Sequence, residues 1–126
     1  MTKQTNPYRN LSCYTLTKLP IGAEMVQIQR VTAGEPFDDY GVYFVDEETL
    51  ERRILINNRL SGAALDSVIL HELLHAVSDI YGLGLSEKTI RVIEQGIGQA
   101  MPVWERAYLS EERDSQGYFG SCESGC

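Results

Sequence analysis

The alternation of apolar and polar positions predicts three β-strands in the first half of the chain. In residues 25–32, apolar side chains alternate with polar ones at a period of two, which is typical of a half-buried strand. Residues 41–45 and 53–57 are further runs of β-branched and aromatic side chains. The acidic segment 46–49 lies between the last two strands and predicts the loop of a hairpin.

A long helix is predicted from about Ser61 or Gly62 to Tyr81. Apolar residues lie almost all round its axis, a pattern that is typical of a buried helix. The polar residues of its second half fall in one narrow stripe at 3.6 residues per turn, and they are His71, Glu72, His75, Ser78 and Asp79. Because burying charged groups without partners is unfavourable, this stripe indicates a specific role, such as binding a metal ion.

The segment Gly82-Leu83-Gly84 predicts the end of this helix, because glycine readily adopts the left-handed cap conformation. Ser86 is a typical N-cap and predicts a second helix that runs to about Ala100, ahead of Pro102. A short third helix is predicted over residues 104–109. These elements predict a small α+β domain, with a short antiparallel or mixed sheet packed on the first two helices.

The predicted domain covers residues 21–110 and fits a chain of 126 residues, which is long enough to form a hydrophobic core. Residues 1–20 are polar and turn-prone, so we expect an irregular N-terminal arm. Residues 111–126 are rich in polar side chains, glycine and serine, so we expect a mobile tail.

Composition and charge exclude several classes of function. The formal net charge of −7 argues against nucleic acid as a partner, because phosphate binding requires a basic face. No apolar run approaches the length of a membrane span, and no secretory signal is visible, so we expect no membrane partner. The three cysteines, Cys13, Cys122 and Cys126, are an odd number and are typical of free thiols in the cytoplasm.

The five residues His71-Glu72-Leu73-Leu74-His75 form an HExxH motif that uses both histidines of the chain. Side chains at i and i+4 lie on the same helix face, with Cβ atoms about 5–6 Å apart, so both imidazoles can reach one zinc ion. Glu72 then lies beside the open coordination position, where it can act as a general base.

A catalytic zinc site uses three protein ligands, and because both histidines are already used, the third is expected to be a carboxylate or, less favoured, a cysteine. Asp79, Glu87 and Glu94 are the candidates. Asp79 lies about 12 Å of helix rise beyond His71, so it is better suited to hydrogen-bond His75 from outside the metal site, or to be an exposed acid at the helix end. Glu87 and Glu94 share one face of the second helix, and their spacing alone leaves both open.

Residues 70–76 have the sequence Leu-His-Glu-Leu-Leu-His-Ala, and residues 82–87 have the sequence Gly-Leu-Gly-Leu-Ser-Glu. This combination resembles the zincin metallopeptidases, and specifically small gluzincin-like HExxH proteins encoded by phages and prophages. Their recurring acid after Ser or Thr corresponds to Glu87. The resemblance therefore implies that His71, His75 and Glu87 hold Zn²⁺, and it implies a cytoplasmic protein of a bacterium or phage-infected cell.

These residues predict a zinc-dependent metallopeptidase that acts on a peptide or protein substrate, with Glu72 as the catalytic base. Tyr43, Tyr81 and Arg91 are candidate groups for stabilising the developing negative charge. Two alternatives remain at this stage. One is a zinc-binding protein in which the metal has only a structural role, and the other is a metal-free interaction module.

Overall fold

The computed structural model of the chain describes residue 8 and residues 10–117, with side chains up to residue 111. The elements follow in the order β1 (Cys13–Ile21), β2 (Glu24–Val31), β3 (Gly41–Val45), β4 (Arg52–Ile56), α1 (Gly62–Ile80) and α2 (Glu87–Gly117). The four strands form one mixed sheet, so the predicted α+β fold class is confirmed.

The sheet has the strand order β1-β2-β4-β3. β1 and β2 form an antiparallel hairpin around Gly22, whose φ of 60° suits the tight turn. β2 and β4 are parallel, and β3 pairs antiparallel with β4, as the predicted hairpin requires. β3 is therefore an edge strand, and one of its edges carries backbone groups that no other strand of this sheet pairs.

The period of two in β2 and β4 divides their side chains between two cores. On one face of the sheet, the buried side chains pack with Ala76 of α1, and they are Val26, Ile28, Ile54 and Ile56. A smaller core on the other face contains Val31, Phe37 and Leu55. Burying one such side chain contributes about 1.5–3 kcal/mol, so the first core holds α1 firmly against the sheet.

β1 corrects the prediction of an irregular arm over residues 1–20. The strand begins at Cys13 and pairs with β2 in a hairpin, and its strand-forming residues, among them Tyr14, Thr15 and Thr17, were not taken into account in predicting an irregular arm. Pro20 is tolerated because β1 is an edge strand. Of the predicted arm, residues 1–7 and 9 lie outside the described residues.

α2 corrects the prediction that the second helix ends near Ala100. It continues through Pro102 to Gly117 and includes the segment 104–109 that was predicted as a separate helix. A proline inside a helix removes one backbone hydrogen bond and can bend the helix without ending it. Part of the predicted tail is therefore helical, and residues 118–126, with Cys122 and Cys126, lie outside the described residues.

α1 has the predicted bounds, from the N-cap Ser61 to the C-cap Tyr81, but it is less buried than its apolar pattern predicts. Only Glu72, Ala76 and Ser78 are fully buried in it. The sheet covers one side of the helix, and apolar residues on other sides stay half-buried.

The chain divides into two compact units, Met1–Glu94 and Gln95–Cys126. This division falls inside the range 21–110 that the sequence assigns to one domain. The sheet, α1 and the first two turns of α2 belong to the first unit, which contains all the site residues described below. None of the helices in the described part of the chain combines the length and apolarity that crossing a membrane requires.

Candidate metal centre

The two histidines of the motif lie side by side on α1. Their ring centroids are 5.0 Å apart, and the rings are inclined at 64°. Both side chains are partly exposed, with 17% of His71 and 33% of His75 accessible to solvent. The i, i+4 spacing in a regular helix is sufficient to produce this pair.

The connection between α1 and α2 places an acid opposite the two rings. Gly82 and Gly84 both have φ near 64°, which allows the chain to reverse directly after α1. Ser78 stabilises the reversal, because its hydroxyl accepts a hydrogen bond of 2.8 Å from the backbone N–H of Leu85. Ser86 caps α2 as predicted, accepting from the N–H of Thr89 at 3.1 Å.

Glu87, in the first turn of α2, lies between the two histidines. One carboxylate oxygen is 2.8 Å from Nε2 of His71, and the other is 3.0 Å from Nε2 of His75. One donor atom from each residue lies within 4.8 Å of the others. Two imidazole nitrogens and one carboxylate oxygen are the ligand set of many catalytic zinc sites, so these residues suit Zn²⁺.

The charges of the neighbouring groups keep Glu87 ready to bind a cation. Partial burial raises the pKa of its carboxyl, but the charges and hydrogen bonds of His71 and His75 outweigh this effect and lower the pKa. The position at the helix N-terminus also favours the carboxylate form.

Glu94, the other candidate third ligand, takes a different place. Its carboxylate lies 2.9 Å from Nδ1 of His71, the ring nitrogen that does not face Glu87. The hydroxyl of Ser67 donates to the second carboxylate oxygen of Glu94. Glu94 therefore contacts a candidate ligand and does not itself complete the ligand set. Both acids on this face of α2 contact His71, Glu87 as a candidate ligand and Glu94 as a hydrogen-bond partner.

Glu72 follows His71 on α1 and lines a cleft between β3 and α1. Only 8% of the residue is exposed, and burial raises the pKa of its carboxyl, although the charges of the two histidines partly oppose this. The cleft has two parts, with volumes of about 780 Å³ and 330 Å³, and both parts are lined by Glu72 and Gly41. A buried carboxylate with a raised pKa in a cleft is suited to accept and release a proton.

Gly41 permits the close approach of β3 to α1. A Cβ at this position would lie 2.6 Å from Cγ1 of Val68 and 3.3 Å from Cγ of Glu72. The absence of a side chain here is therefore part of the geometry that shapes the cleft.

Asp79 is an exposed acid at the end of α1, which is one of the two roles that the sequence allows, and its hydrogen-bond partners are Tyr43 and Arg52 and not His75. Its carboxylate accepts a hydrogen bond of 2.7 Å from the Tyr43 hydroxyl and one of 2.6 Å from the Arg52 guanidinium. The hydrogen bond from Tyr43 is the main reason that the pKa of Asp79 is lowered. Burial, followed by the hydrogen bond to Asp79, raises the pKa of Tyr43 to about 12.

The three candidates for stabilising negative charge differ in their hydrogen-bond partners and in their position relative to the cleft. The hydroxyl of Tyr43 is already bound by Asp79 and Arg52. Tyr81 is 57% exposed and lies outside the residues that line the cleft. Arg91 lines the smaller part of the cleft, where its Nε is 3.5 Å from a carboxylate oxygen of Glu87.

Sequence reasoning did not identify Ser67, Arg52 or Gly41 as part of this region. Ser67 could have been found, because it precedes His71 by four residues and lies on the same helix face. Arg52 and Gly41 carry no such signal, since their contacts depend on how the sheet meets α1.

Comparison with known proteins identifies no relative of this chain. No protein-family model matches the chain, and comparisons with curated proteins and with solved structures give no significant match. The geometry of the centre is therefore the basis for a functional proposal.

Proposed function

We propose that this chain is a zinc-dependent metallopeptidase. The observation that carries the proposal is the convergence of His71, His75 and Glu87, whose ligand atoms lie within 4.8 Å of one another beside the buried Glu72. Among the described residues, three protein donors meet at this position, and three donors with open coordination positions are typical of catalytic zinc sites and not of structural ones.

In this proposal, His71, His75 and Glu87 hold the metal. Zinc, when bound, would polarise the substrate carbonyl and make a water molecule more acidic. Glu72 accepts the proton of the attacking water and later delivers it to the leaving amine, so that one carboxylate serves as base and then as acid. Burial of Glu72 supports this role, because a raised pKa makes its carboxylate a stronger acceptor for the proton of the attacking water.

The cleft supports a peptide as the substrate. It runs along β3, an edge strand, and an extended peptide can bind such an edge through backbone hydrogen bonds. Its larger part, of about 780 Å³, provides room for several residues of a chain. The cytoplasm of a bacterium or phage-infected cell remains the proposed compartment.

Metal analysis of the purified protein tests the first step of this proposal. We expect about one zinc per chain in the wild type, and strong loss in His75→Ala and Glu87→Ala, because each removes one of three ligands. Glu105→Gln, which changes an exposed acid further along α2, is the matched control and should keep its zinc. A wild-type protein that takes up no zinc at micromolar supply contradicts the proposal.

Cleavage of a mixed peptide library by the zinc-loaded protein tests the second step. We expect internal peptide bonds to be cut, and we expect a chelator to stop the reaction. Zinc uptake without any cleavage would instead favour a non-catalytic zinc protein, the alternative that the sequence leaves open.

A further inference from the structure

Asp79 occupies an unfavourable position unless something compensates for it. It lies in the last turn of α1, where the helix dipole disfavours a negative charge. Its carboxylate is nevertheless held by two donors, the Tyr43 hydroxyl and the Arg52 guanidinium, at 2.7 Å and 2.6 Å. These are short, charge-assisted hydrogen bonds, which are the stronger kind.

The contacts around Asp79 connect four elements of the fold. Asp79 belongs to α1, Tyr43 to β3 and Arg52 to β4, and Arg52 also pairs with Glu24 of β2 at 3.4 Å. Arg52 donates to the Tyr43 hydroxyl at 2.7 Å, so the hydroxyl is held on both sides. We call these four residues the Asp79 cluster.

Two residues of the Asp79 cluster line the proposed substrate cleft. Tyr43 and Asp79 line the larger part of the cleft together with His75, which precedes Asp79 by one turn of α1. The two walls of the cleft are β3 and α1, and the Tyr43–Asp79 hydrogen bond joins them directly. The Tyr43 hydroxyl and the Asp79 carboxylate thus form a direct link between these walls, next to the Arg52–Asp79 ion pair that joins β4 to α1.

We propose that the Asp79 cluster positions the edge strand β3 against the HExxH helix and so sets the width of the substrate cleft. Tyr43, Arg52 and Asp79 are positioning residues in this view and contribute no atom to the metal centre. The catalytic consequence rests on the proposed peptidase function, whereas the effect on β3 does not.

Hydrogen exchange of the zinc-supplied protein, followed by mass spectrometry, tests the effect on β3 without any substrate. In Tyr43→Phe and Asp79→Asn, we expect the amides of Gly41–Val45 to exchange about tenfold faster, because Tyr43→Phe removes a hydrogen bond to a charged group and Asp79→Asn weakens two by removing that charge. Arg53→Lys is the matched control, since Arg53 is the next residue of β4 and pairs with Asp46 and Glu51 instead. Unchanged exchange of β3 in both variants overturns the proposal.

Peptide hydrolysis gives the second measurement. With zinc occupancy equal to that of the wild type, Tyr43→Phe and Asp79→Asn should raise KM about tenfold and leave kcat within about twofold. A cluster that only stabilises the fold would lower the unfolding temperature and leave KM unchanged, and that result overturns the proposal. If the wild type cleaves no peptide, the peptidase function fails, while the exchange of β3 still decides whether the Asp79 cluster positions this strand.

Discussion

Glu94 and His71 form a hydrogen bond of 2.9 Å between a carboxylate oxygen and Nδ1, on the side of the imidazole ring away from Glu87. A carboxylate only accepts hydrogen bonds, so Nδ1 carries the proton when the ring is neutral. Nε2 then presents its lone pair toward Glu87 and the candidate metal position. A contact of this kind fixes the tautomer and orientation of a metal-binding histidine.

Weakening this contact should weaken zinc binding. We expect Glu94→Gln to reduce zinc affinity about tenfold and Glu94→Ala to reduce it by up to about a hundredfold, because glutamine keeps an acceptor and alanine keeps none. Competition with a chromogenic chelator measures the affinity. Equal affinities in wild type, Glu94→Gln and Glu94→Ala would remove the orienting role of Glu94.

Glu72→Gln should separate metal binding from catalysis. Glutamine has nearly the same shape but cannot accept the proton, so we expect zinc content near that of the wild type and a loss of hydrolysis of at least about a hundredfold. Elemental analysis and a peptide cleavage assay on the same preparation check both statements. Wild-type turnover in Glu72→Gln would exclude this residue as the general base.

The stability of the metal-free protein should depend on pH through His71 and Glu94. Burial lowers the pKa of His71, but the hydrogen bond to Glu94 and the nearby carboxylates outweigh it and raise the pKa above 6.5. A raised pKa stabilises the fold below pH 6.5, and this contribution is lost as the pH rises through the folded-state value.

The pKa of Glu94 is shifted the other way, so this residue stabilises the fold at higher pH and loses the effect in acid. Burial raises its pKa, but the hydrogen bonds from Ser67 and His71 outweigh it and lower the pKa below 4.5. Its contribution is present above pH 4.5 and is lost as the pH falls through the folded-state value. The free energy of unfolding, measured with urea in the presence of a chelator, should therefore include a contribution from this pair between about pH 4.5 and 6.5. His71→Gln should remove that contribution. Identical pH profiles for the wild type and His71→Gln would contradict this.

Gly41→Ala should destabilise the protein and disturb the cleft. The added Cβ would lie 2.6 Å from Val68 Cγ1, so β3 or α1 must move, and we expect the free energy of unfolding to fall by about 1–3 kcal/mol. Gly96→Ala is the control, because a Cβ there meets no atom within 4 Å. Because glycine is unfavourable inside a helix, Gly96→Ala should raise the free energy of unfolding by about 0.5–1 kcal/mol. Equal stability of Gly41→Ala and the wild type would mean that the gap between β3 and α1 is adaptable.

Features that depend on neighbouring residues could be predicted from the sequence. The bounds of α1, the left-handed glycines after it and the Ser86 cap follow from local backbone preferences. The common face of His71 and His75 follows from helical periodicity alone. The period of two in β2 and the loop between β3 and β4 also depend only on residues that are near one another in sequence.

The tertiary structure decided whatever depends on the relative placement of separate elements. β1 is held in the sheet by its pairing with β2, because most of its own side chains are exposed. Glu87 and Glu94 share one face of α2, so only the placement of that helix beside α1 separates a candidate ligand from a residue that contacts the ligand. Asp79 bonds Tyr43 and not His75 because β3 lies next to the last turn of α1. Local periodicity determines which side chains share a face, whereas their partners are set by long-range packing.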